Sequence, residues 1–401
     1  MSTSEASGRV AVLGCGPAGM AAAMSIAQSG HDVTLFERFP EAKPAGNILN
    51  LWPPPLKALE ILGVDTDDLG APCRQELRSA RGHLRAKVEL PPEIEREFGG
   101  TFIGLLRPEL YERMLAALPS GLLHTGRNVV RVEQDPAKVV LHFEDDAAEE
   151  FDVLVGADGI NSIVRQTLWN DGPVREHRLR LIGGYTFAED TGAVPGQAVI
   201  MHDRAVQGSH TSIRHKGRDG FQWWVVGAQD PAEPAPADLK GHAARLMSNF
   251  PGPMPELVAS TDSTCVQTWL LRDRPPIPTW SLGRVTLVGD AAHPTSPYAA
   301  YGAGMGIEDG YFLGRALAGR NLTDLAQVAA ALTEYEEPRK AHTAWQTELA
   351  YRNGRLFHHT SAPLRPFRDL ILDRTSFLQR LMGRKRPGSI LEQLSLIEAR
   401  R

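Results

Sequence analysis

Three glycines near the start of the chain have the spacing of a phosphate-binding turn. Gly14, Gly16 and Gly19 form the pattern GxGxxG. An apolar, strand-like run at 10–13 precedes them, and an alanine-rich, helical run at 20–29 follows. Gly14 would permit the tight turn, Gly16 would let the backbone approach a pyrophosphate, and Gly19 would let helix and strand pack closely. The dipole and free N–H groups of the helix N-terminus would hold the diphosphate.

An acidic residue follows at the expected distance. Glu37 closes the next apolar run, which begins near His31 and is interpreted as a second strand. An acid at this position accepts hydrogen bonds from ribose hydroxyls in dinucleotide-binding units. Because strand, turn, helix, second strand and acid occur in register, the sequence predicts binding of an ADP moiety rather than a turn that only packs.

Two further motifs lie downstream. The first is GADGINSIVR at 156–165, and the second is GDAAHPTSP at 289–297. With the glycine turn, and in this order, they make the chain resemble the single-component, group A, FAD-dependent aromatic hydroxylases, of which para-hydroxybenzoate and salicylate hydroxylases are representatives. The resemblance spans nearly the whole chain.

The resemblance implies roles for individual residues. The motif that contains Asp158 would serve both FAD and the nicotinamide donor, Arg107 would reach the FAD, and Pro297 would place its carbonyl near the reacting ring position. Asp290, at the mouth of a parallel strand, would accept from ribityl hydroxyls. The helix that opens at Gly302 can stabilise negative charge at the flavin N1–C2=O locus. The residues predicted to contact the cofactor are Gly14, Gly16, Pro17, Ala18, Gly19, Glu37, Arg38, Arg107, Asp158, Asp290, Pro297, Gly302, Ala303 and Gly304.

The resemblance also implies the chemistry. NAD(P)H would reduce a non-covalently bound FAD, O₂ would add at C4a, and the hydroperoxide would transfer OH to the ring of an aromatic or conjugated small molecule. The sequence has no second GxGxxG unit between a strand and a helix, which favours transient docking of NAD(P)H. A flavin oxidase or reductase and a non-catalytic FAD-binding protein remain alternatives. A halogenase is disfavoured, because no Trp-x-Trp-x-Ile-Pro segment is present.

The substrate side is less well defined by the sequence. We predict that Trp223, His210, Arg214 and Pro297 line the substrate pocket, and we assign no catalytic side chain. Strand alternation does not decide which side faces the pocket, so a core position for Trp223 stays open. Core or solvated positions stay open for His210 and Arg214.

The chain departs from the family pattern at two positions. Ile48 and Ala300 stand where the family usually has glycine, and both would border the flavin ring. Glu308 and Asp309 follow the family's downstream pattern, as does the stretch 335–339. We interpret these charges as residues of helix surfaces.

The pattern of elements predicts an α/β fold: a discontinuous Rossmann-like FAD-binding domain, an inserted antiparallel β-sheet substrate domain, and C-terminal helices. The helical pattern after 324 is expected to be interrupted at Pro338. The predicted FAD-binding segments are 1–75, 100–177 and 279–350, the predicted substrate-domain segments are 76–99 and 178–278, and the C-terminal segment is 351–401.

Composition narrows the class of protein. The 401 residues carry a net charge of −5 without long blocks of like charge, so a nucleic-acid partner is not indicated. Three separated cysteines indicate neither a disulfide framework nor a zinc site. The polar segment 1–5 leaves no room for a signal peptide, and no apolar run is long enough to span a bilayer. A cytoplasmic monomer or homodimer is therefore expected.

Overall fold

A computed structural model describes residues 8–43 and 46–400 of the chain. The polar segment 1–5, interpreted above as excluding a signal peptide, lies outside the described residues. The described strands are, in chain order, β1 (Arg9–Leu13), β2 (Asp32–Glu37), β3 (Ile48–Leu51), β4 (Ala71–Ser79), β5 (Leu84–Lys87), β6 (Phe102–Leu106), β7 (Leu123–Thr125), β8 (Val129–Gln134), β9 (Val139–Phe143), β10 (Ala148–Phe151), β11 (Val153–Gly156), β12 (Arg175–Thr186), β13 (Gln197–His202), β14 (Gln207–His215), β15 (Arg218–Ala228), β16 (Gln267–Asp273), β17 (Ser281–Leu282) and β18 (Val285–Leu287). The described α-helices are α1 (Pro17–Gln28), α2 (Pro53–Ile61), α3 (Pro92–Phe98), α4 (Arg107–Ala117), α5 (Ile163–Trp169), α6 (Leu239–Met247), α7 (Met254–Ala259), α8 (Gly302–Leu317), α9 (Leu325–His358), α10 (Arg365–Arg374) and α11 (Arg386–Ala399).

A six-stranded sheet has β1 near its centre. Its strand order is β17-β18-β11-β1-β2-β7, and all pairs are parallel except β17 with β18. All four residues of β11 are buried, as are Val10 to Leu13 of β1, which is typical of a parallel sheet covered on both faces. The strands of this sheet come from three separate stretches of the chain. A separate three-stranded antiparallel sheet has the order β10-β9-β8.

Close packing of α1 on α8 covers the six-stranded sheet. A Cβ built on Gly310 would lie 2.4 Å from the backbone nitrogen of Ala22, and one on Gly314 would lie 2.2 Å from Oγ of Ser25. The Ser25 hydroxyl in turn donates to the carbonyl of Tyr311 at 3.1 Å. The small residues along α8 therefore set the distance between the two helices, and with it the position of both helix N-termini.

A nine-stranded sheet forms the second layer. Its path is β16-β12-β15-β14-β13-β4-β6-β3, with β5 paired to β4 off this path. One face, which includes Val199 and Trp223, packs against α6 and α7. The opposite face, which includes Leu77, packs against C-terminal helices through residues such as Phe357. Alternation along each strand assigns neighbouring residues to these two different environments.

Several elements differ from the sequence-based expectations. The strands β3 and β6 pair within the nine-stranded sheet, although their residues were assigned to the FAD-binding segments. The pairing of β13 with β4 is parallel, and α6 and α7 were not anticipated. The helix α9 continues through Pro338, because buried residues on both sides, such as Tyr335 and Arg339, anchor it. Of the helices in the described ranges, none is long and apolar enough to cross a membrane.

The contact between α1 and α8 can be tested with Gly310→Ala. The added Cβ would meet backbone atoms of Ala21 and Ala22 at 2.6 and 2.4 Å, and backbone cannot move as freely as a side chain. We expect the free energy of unfolding, measured by urea denaturation, to fall by about 1–3 kcal/mol. In Gly388→Ala the new Cβ meets no atom within 4 Å, so this matched control should lose no stability. Equal stability of Gly310→Ala and wild type would contradict the packing argument.

Candidate functional site

Three turns meet at one edge of the six-stranded sheet. In the register of β1, β11 and β18, Leu13 lies beside Gly156, and Gly156 lies beside Leu287. The N–H of Ala157 donates to the carbonyl of Leu13 at 2.8 Å, and the N–H of Val288 donates to that of Gly156 at 2.9 Å. The strands therefore end in line, and the three sequence motifs that follow them face a common space.

That space is a deep cleft of about 1130 Å³. Gly19 and Gly304 lie outside its lining and have packing roles, since a Cβ on Gly19 would lie 1.9 Å from the carbonyl oxygen of Gly14. A Cβ on Gly304 would contact Tyr301 and Pro55. The predicted cofactor residues that line the cleft are Gly14, Gly16, Pro17, Ala18, Glu37, Arg38, Arg107, Asp158, Asp290, Gly302 and Ala303.

Backbone groups orient the carboxylate of Glu37 at one end of the cleft. One oxygen accepts from the N–H of Cys15 at 3.0 Å and the other from the N–H of Phe39, also at 3.0 Å. Each carboxylate oxygen has a second acceptor position, so Glu37 can still accept from a bound hydroxyl. Burial raises the pKa of the Cys15 thiol to about 11, which keeps this cysteine protonated beside the carboxylate.

Asp290 lies in the cleft near Arg107. Asp290 is exposed to the open cleft, and no described residue donates a hydrogen bond to its carboxylate. Desolvation by the surrounding cleft walls raises the pKa of Asp290, and the nearby His293 and Arg107 act in the opposite direction. Burial lowers the pKa of Arg107, and Asp290 opposes that shift. The pair thus supplies an acceptor and a donor aimed at the same ligand space.

A buried ion network positions the turn that carries Asp290. One oxygen of Asp309 accepts from the N–H of Gly289 at 2.9 Å and from Nε2 of His293 at 2.5 Å. The other accepts from Nε of Arg339 at 2.8 Å, and Arg339 also donates to Glu308 at 2.6 Å. Burial alone would raise the pKa of Asp309, but the charges of His293 and Arg339 lower it to about 2.

The structure corrects our interpretation of these charges as helix-surface residues. Glu308, Asp309 and Arg339 are all fully buried. The sequence alone did not show this, because Arg339 pairs with both carboxylates only when α8 and α9 pack together. These buried charges therefore hold in place the turn that carries Asp290.

Arg165 connects the second motif to the third. Its guanidinium is buried and donates to the carbonyls of Ala291 and Ala292, at 3.1 and 2.8 Å, and to Asp171 at 2.7 Å. In the same motif one oxygen of Asp158 accepts from the N–H of Ile163 at 2.7 Å. The other oxygen, Oδ1, is buried and accepts no hydrogen bond from the described residues.

A second, narrow cavity of about 40 Å³ lies between the nine-stranded sheet and the C-terminal helices. Pro297, which was predicted to contact both cofactor and substrate, lines this cavity and not the large cleft, together with Ala300 of the same loop. Its polar or aromatic lining residues include His202, Gln207, Trp224, Tyr298 and Arg386. This loop leads directly into the start of α8, where Gly302 and Ala303 line the large cleft.

Trp223, His210 and Arg214 line neither of these two cavities. Trp223 lies on the sheet face covered by α6 and α7, where its indole donates to Thr261 at 2.8 Å. His210 is paired with Trp223 across the strands, which places it on the same face. Arg214 forms ion pairs with Asp68 and Asp219 at 2.6 and 2.7 Å. The residue facing the second cavity is the neighbouring Trp224, because adjacent strand residues point to opposite faces.

Sequence reasoning did not find His202, Gln207 or Arg386. The two strand residues are directly paired and share the face of Trp224. Strand alternation would have predicted both residues if the sequence had shown which face of the sheet α6 and α7 cover. Arg386 comes from a C-terminal helix, and nothing in its local sequence indicates a cavity.

The two departures from the family pattern have different local consequences. Ala300 adopts the left-handed conformation, with φ 45° and ψ 34°, which glycine occupies without strain. Ile48 opens β3 and its side chain lies against Gly183, where an added Cβ would be only 2.9 Å from it. The absence of a side chain at Gly183 thus accommodates the larger residue at Ile48.

Comparison with known proteins gives the family. Residues 8–350 match the family described as FAD binding domain. The chain belongs to this family. It is 29% identical over 359 residues to the 6-hydroxynicotinate 3-monooxygenase of Bordetella bronchiseptica, which covers 86% of this chain and 91% of the relative. It is 30% identical over 379 residues to the 3-hydroxybenzoate 6-hydroxylase of Polaromonas naphthalenivorans, covering 89% and 90%.

A solved structure also matches this FAD-binding protein. The crystal structure of Klebsiella pneumoniae HpxO complexed with FAD and uric acid superposes with a TM-score of 0.81 and 25% identity, covering 96% of each chain. These relatives identify the chain as an FAD-dependent monooxygenase of the group A aromatic hydroxylases. The mixed α/β architecture agrees with that assignment.

The residues of the large cleft fit FAD. Gly16 has ordinary backbone angles, φ −80° and ψ 174°, and a Cβ built there would meet no described atom within 4 Å. Neither conformation nor protein packing therefore requires glycine at this position, whereas a pyrophosphate lying against the backbone would. The unpartnered Oδ1 of Asp158 and the free carboxylate of Asp290 are acceptors in a site rich in ligand hydroxyls.

Asp309→Asn tests the buried network. The substitution leaves the Arg339 guanidinium without one of its two carboxylates, and loss of a buried partner costs about 3–5 kcal/mol of stability. Since the folded pKa of about 2 lies below the ordinary 3.8, the loss should be constant above about pH 5 and shrink as the pH falls toward 2. Chemical denaturation across pH measures this loss. The control Glu334→Gln removes a half-exposed partner of Arg320 and should cost at most about 1 kcal/mol, and equal losses would contradict the network's importance.

Proposed function

We propose that this monooxygenase hydroxylates an aromatic small molecule in the second cavity, with FAD in the large cleft and NAD(P)H docking transiently. One observation carries the proposal. The loop with Pro297 and Ala300 lines the second cavity, and the helix α8 that follows it directly lines the large cleft with Gly302 and Ala303. A ring in the second cavity would therefore lie only a few residues along the chain from the flavin site, and proximity of this kind is what oxygen transfer needs.

Each part of the cleft has a separate task in this proposal. The backbone around Gly16 and the N-terminus of α1 hold the pyrophosphate, and Glu37 accepts from the adenosine ribose. Asp290 accepts from the ribityl chain, and Arg107 donates nearby. The N–H groups at the start of α8 face the cleft and can stabilise negative charge that develops on the ring system. Bound FAD would accept electrons from NAD(P)H and activate O₂.

The net reaction balances as follows. An aromatic C–H, O₂, NAD(P)H and one proton give the phenol, water and NAD(P)⁺. The protein's contribution is to position the ring and to exclude water from the second cavity, whose lining includes Leu77, Leu181 and Val226.

The domain division follows from the same proposal. We propose that the discontinuous, Rossmann-like FAD-binding domain is built on the six-stranded sheet. The nine-stranded sheet, supplied largely by 178–278, forms the inserted substrate domain, and 351–401 packs over it as the C-terminal segment. A monomeric or homodimeric state and a cytoplasmic location remain predictions.

Asp290→Ala tests the assignment of the cleft. The change removes a charge-assisted hydrogen bond of about 1.5–3 kcal/mol, which corresponds to roughly one to two decades of FAD affinity. Titration of apoprotein with FAD, followed by flavin fluorescence, gives the dissociation constant. Asp190→Ala removes an exposed carboxylate outside both cavities and should leave the constant unchanged. Unaltered FAD affinity in Asp290→Ala would exclude the proposed ribityl contact.

Isotopic labelling tests the reaction class. Under ¹⁸O₂, we expect the product to gain one labelled oxygen atom and NAD(P)H oxidation to accelerate when an aromatic substrate is present. Mass spectrometry of the product and absorbance of NAD(P)H give the two readouts. Label arriving only from water, or NAD(P)H oxidation that yields only H₂O₂ with every aromatic tested, would instead favour an oxidase or reductase.

A further inference from the structure

Arg386 is a buried cation without a described counter-charge. It begins α11 and is 3% exposed. Its Nε donates to the side-chain oxygen of Gln346 at 3.3 Å, and its guanidinium lies 5.5 Å from the ring centre of Trp52. It forms no ion pair with a described carboxylate, and its buried Nη2 has no hydrogen-bond partner among the described residues. One face of the guanidinium is therefore unsatisfied.

The other large buried arginines differ in this respect. Arg339 has two carboxylates and Arg165 has one, while Arg284 donates to four backbone carbonyls. Burial lowers the pKa of Arg386 to about 10, so the side chain still carries its charge at neutral pH. A buried charge without a partner is strongly destabilising. Such a group is typically found where a ligand supplies the missing charge.

Arg386 lines the second cavity. We propose that Arg386 determines specificity in this cavity by binding the carboxylate of an aromatic acid. This assignment rests on the proposed function, because it takes the second cavity as the substrate site. A guanidinium and a carboxylate form paired N–H to oxygen bonds, so Arg386 would also fix the orientation of the ring.

The other residues that line the second cavity can contact the ring of an aromatic acid. Trp224, Phe357 and Leu181 offer apolar surface to a ring. His202 is stacked on Phe357 with ring centres 3.6 Å apart, and its buried Nε2 has no partner. Burial lowers the pKa of His202 well below 6.5, so a neutral imidazole is available to a ring hydroxyl.

The cavity must widen to admit a whole ring, since its volume is about 40 Å³. The flexible side chain of Met382, together with Leu378, forms part of its wall on the side of the C-terminal helices. Movement of these two side chains would enlarge it.

The test compares acids with their neutral amides on the FAD-loaded enzyme, without NAD(P)H. The probes are benzoate, 3-hydroxybenzoate and 4-hydroxybenzoate, each with its amide, and binding is read from the change in flavin absorbance. In wild type we expect at least one acid to bind about 10-fold or more tightly than its amide. Arg386→Gln should weaken that acid about 10- to 100-fold and the amide less than about 3-fold. Arg386→Lys should restore part of the acid's affinity.

Arg384→Gln is the matched control. Arg384 precedes Arg386 by two residues, and its replacement by Gln changes the net charge by the same amount. Unlike Arg386, it is exposed and pairs with Glu89 at 3.3 Å. Its effect on acid binding should be less than about 2-fold. FAD content and thermal unfolding of each variant report any structural loss. If Arg386→Gln does not fold, the role of Arg386 is still tested by comparing wild type with Arg386→Lys, using the ratio of acid affinity to amide affinity.

Two results would overturn the role of Arg386. One is equal weakening of acid and amide in Arg386→Gln, and the other is failure of every acid to bind better than its amide in wild type. The proposed function fails separately. If acids bind through Arg386 but no aromatic gains oxygen from ¹⁸O₂, the hydroxylase assignment is wrong, whereas hydroxylation of neutral phenols without preference for acids removes only the role of Arg386.

Discussion

The parallel pairing of β1, β11 and β18 is the constraint on which the cofactor site depends. Because the three strands end in line at Leu13, Gly156 and Leu287, the turns that follow them face one cleft. A register shift of one residue displaces a parallel strand by about 3.3 Å along its length. A shift of β18 by one residue would move Asp290 by that distance relative to the glycine turn, and a fixed cofactor could not contact both. Arg165 and the Asp309 network oppose such a shift because they bind the third turn directly.

Buried charge serves two different purposes in this chain. In the network of Asp309 and Arg339 every charge has an opposite partner, so the network is rigid and holds backbone in place. Arg386 has an unpartnered Nη2, and the residue lines a cavity. The distinction lies in the completeness of the partners rather than in the depth of burial, since Arg339 and Arg386 are both almost inaccessible to solvent.

The features that the sequence predicted are local ones. The glycine turn, Glu37 and the helix starting at Arg107 depend on residues within a few turns of one another, and the structure has them. The features that the sequence could not predict depend on which elements, distant in the chain, pack against a given strand or helix face. Alternation shows that Trp223 and Trp224 point to opposite faces of the sheet, but it does not show which face borders a cavity. That depends on α6 and α7, which cover the face of Trp223. Burial of Asp309 likewise depends on Arg339, which lies 30 residues further along.

The scattered origin of the central sheet has a consequence for synthesis of the chain on the ribosome. The glycine turn is translated first, but its neighbours in the cleft arrive only with β11 and then with β18, near 287. Until about three quarters of the chain has emerged, one side of β11 has no partner strand, and its apolar edge is open to wrong pairing. Contacts so distant in sequence form slowly. The nascent protein must therefore remain incompletely folded for most of its translation, and protection of that edge, rather than formation of the early glycine turn, would limit the yield of native enzyme.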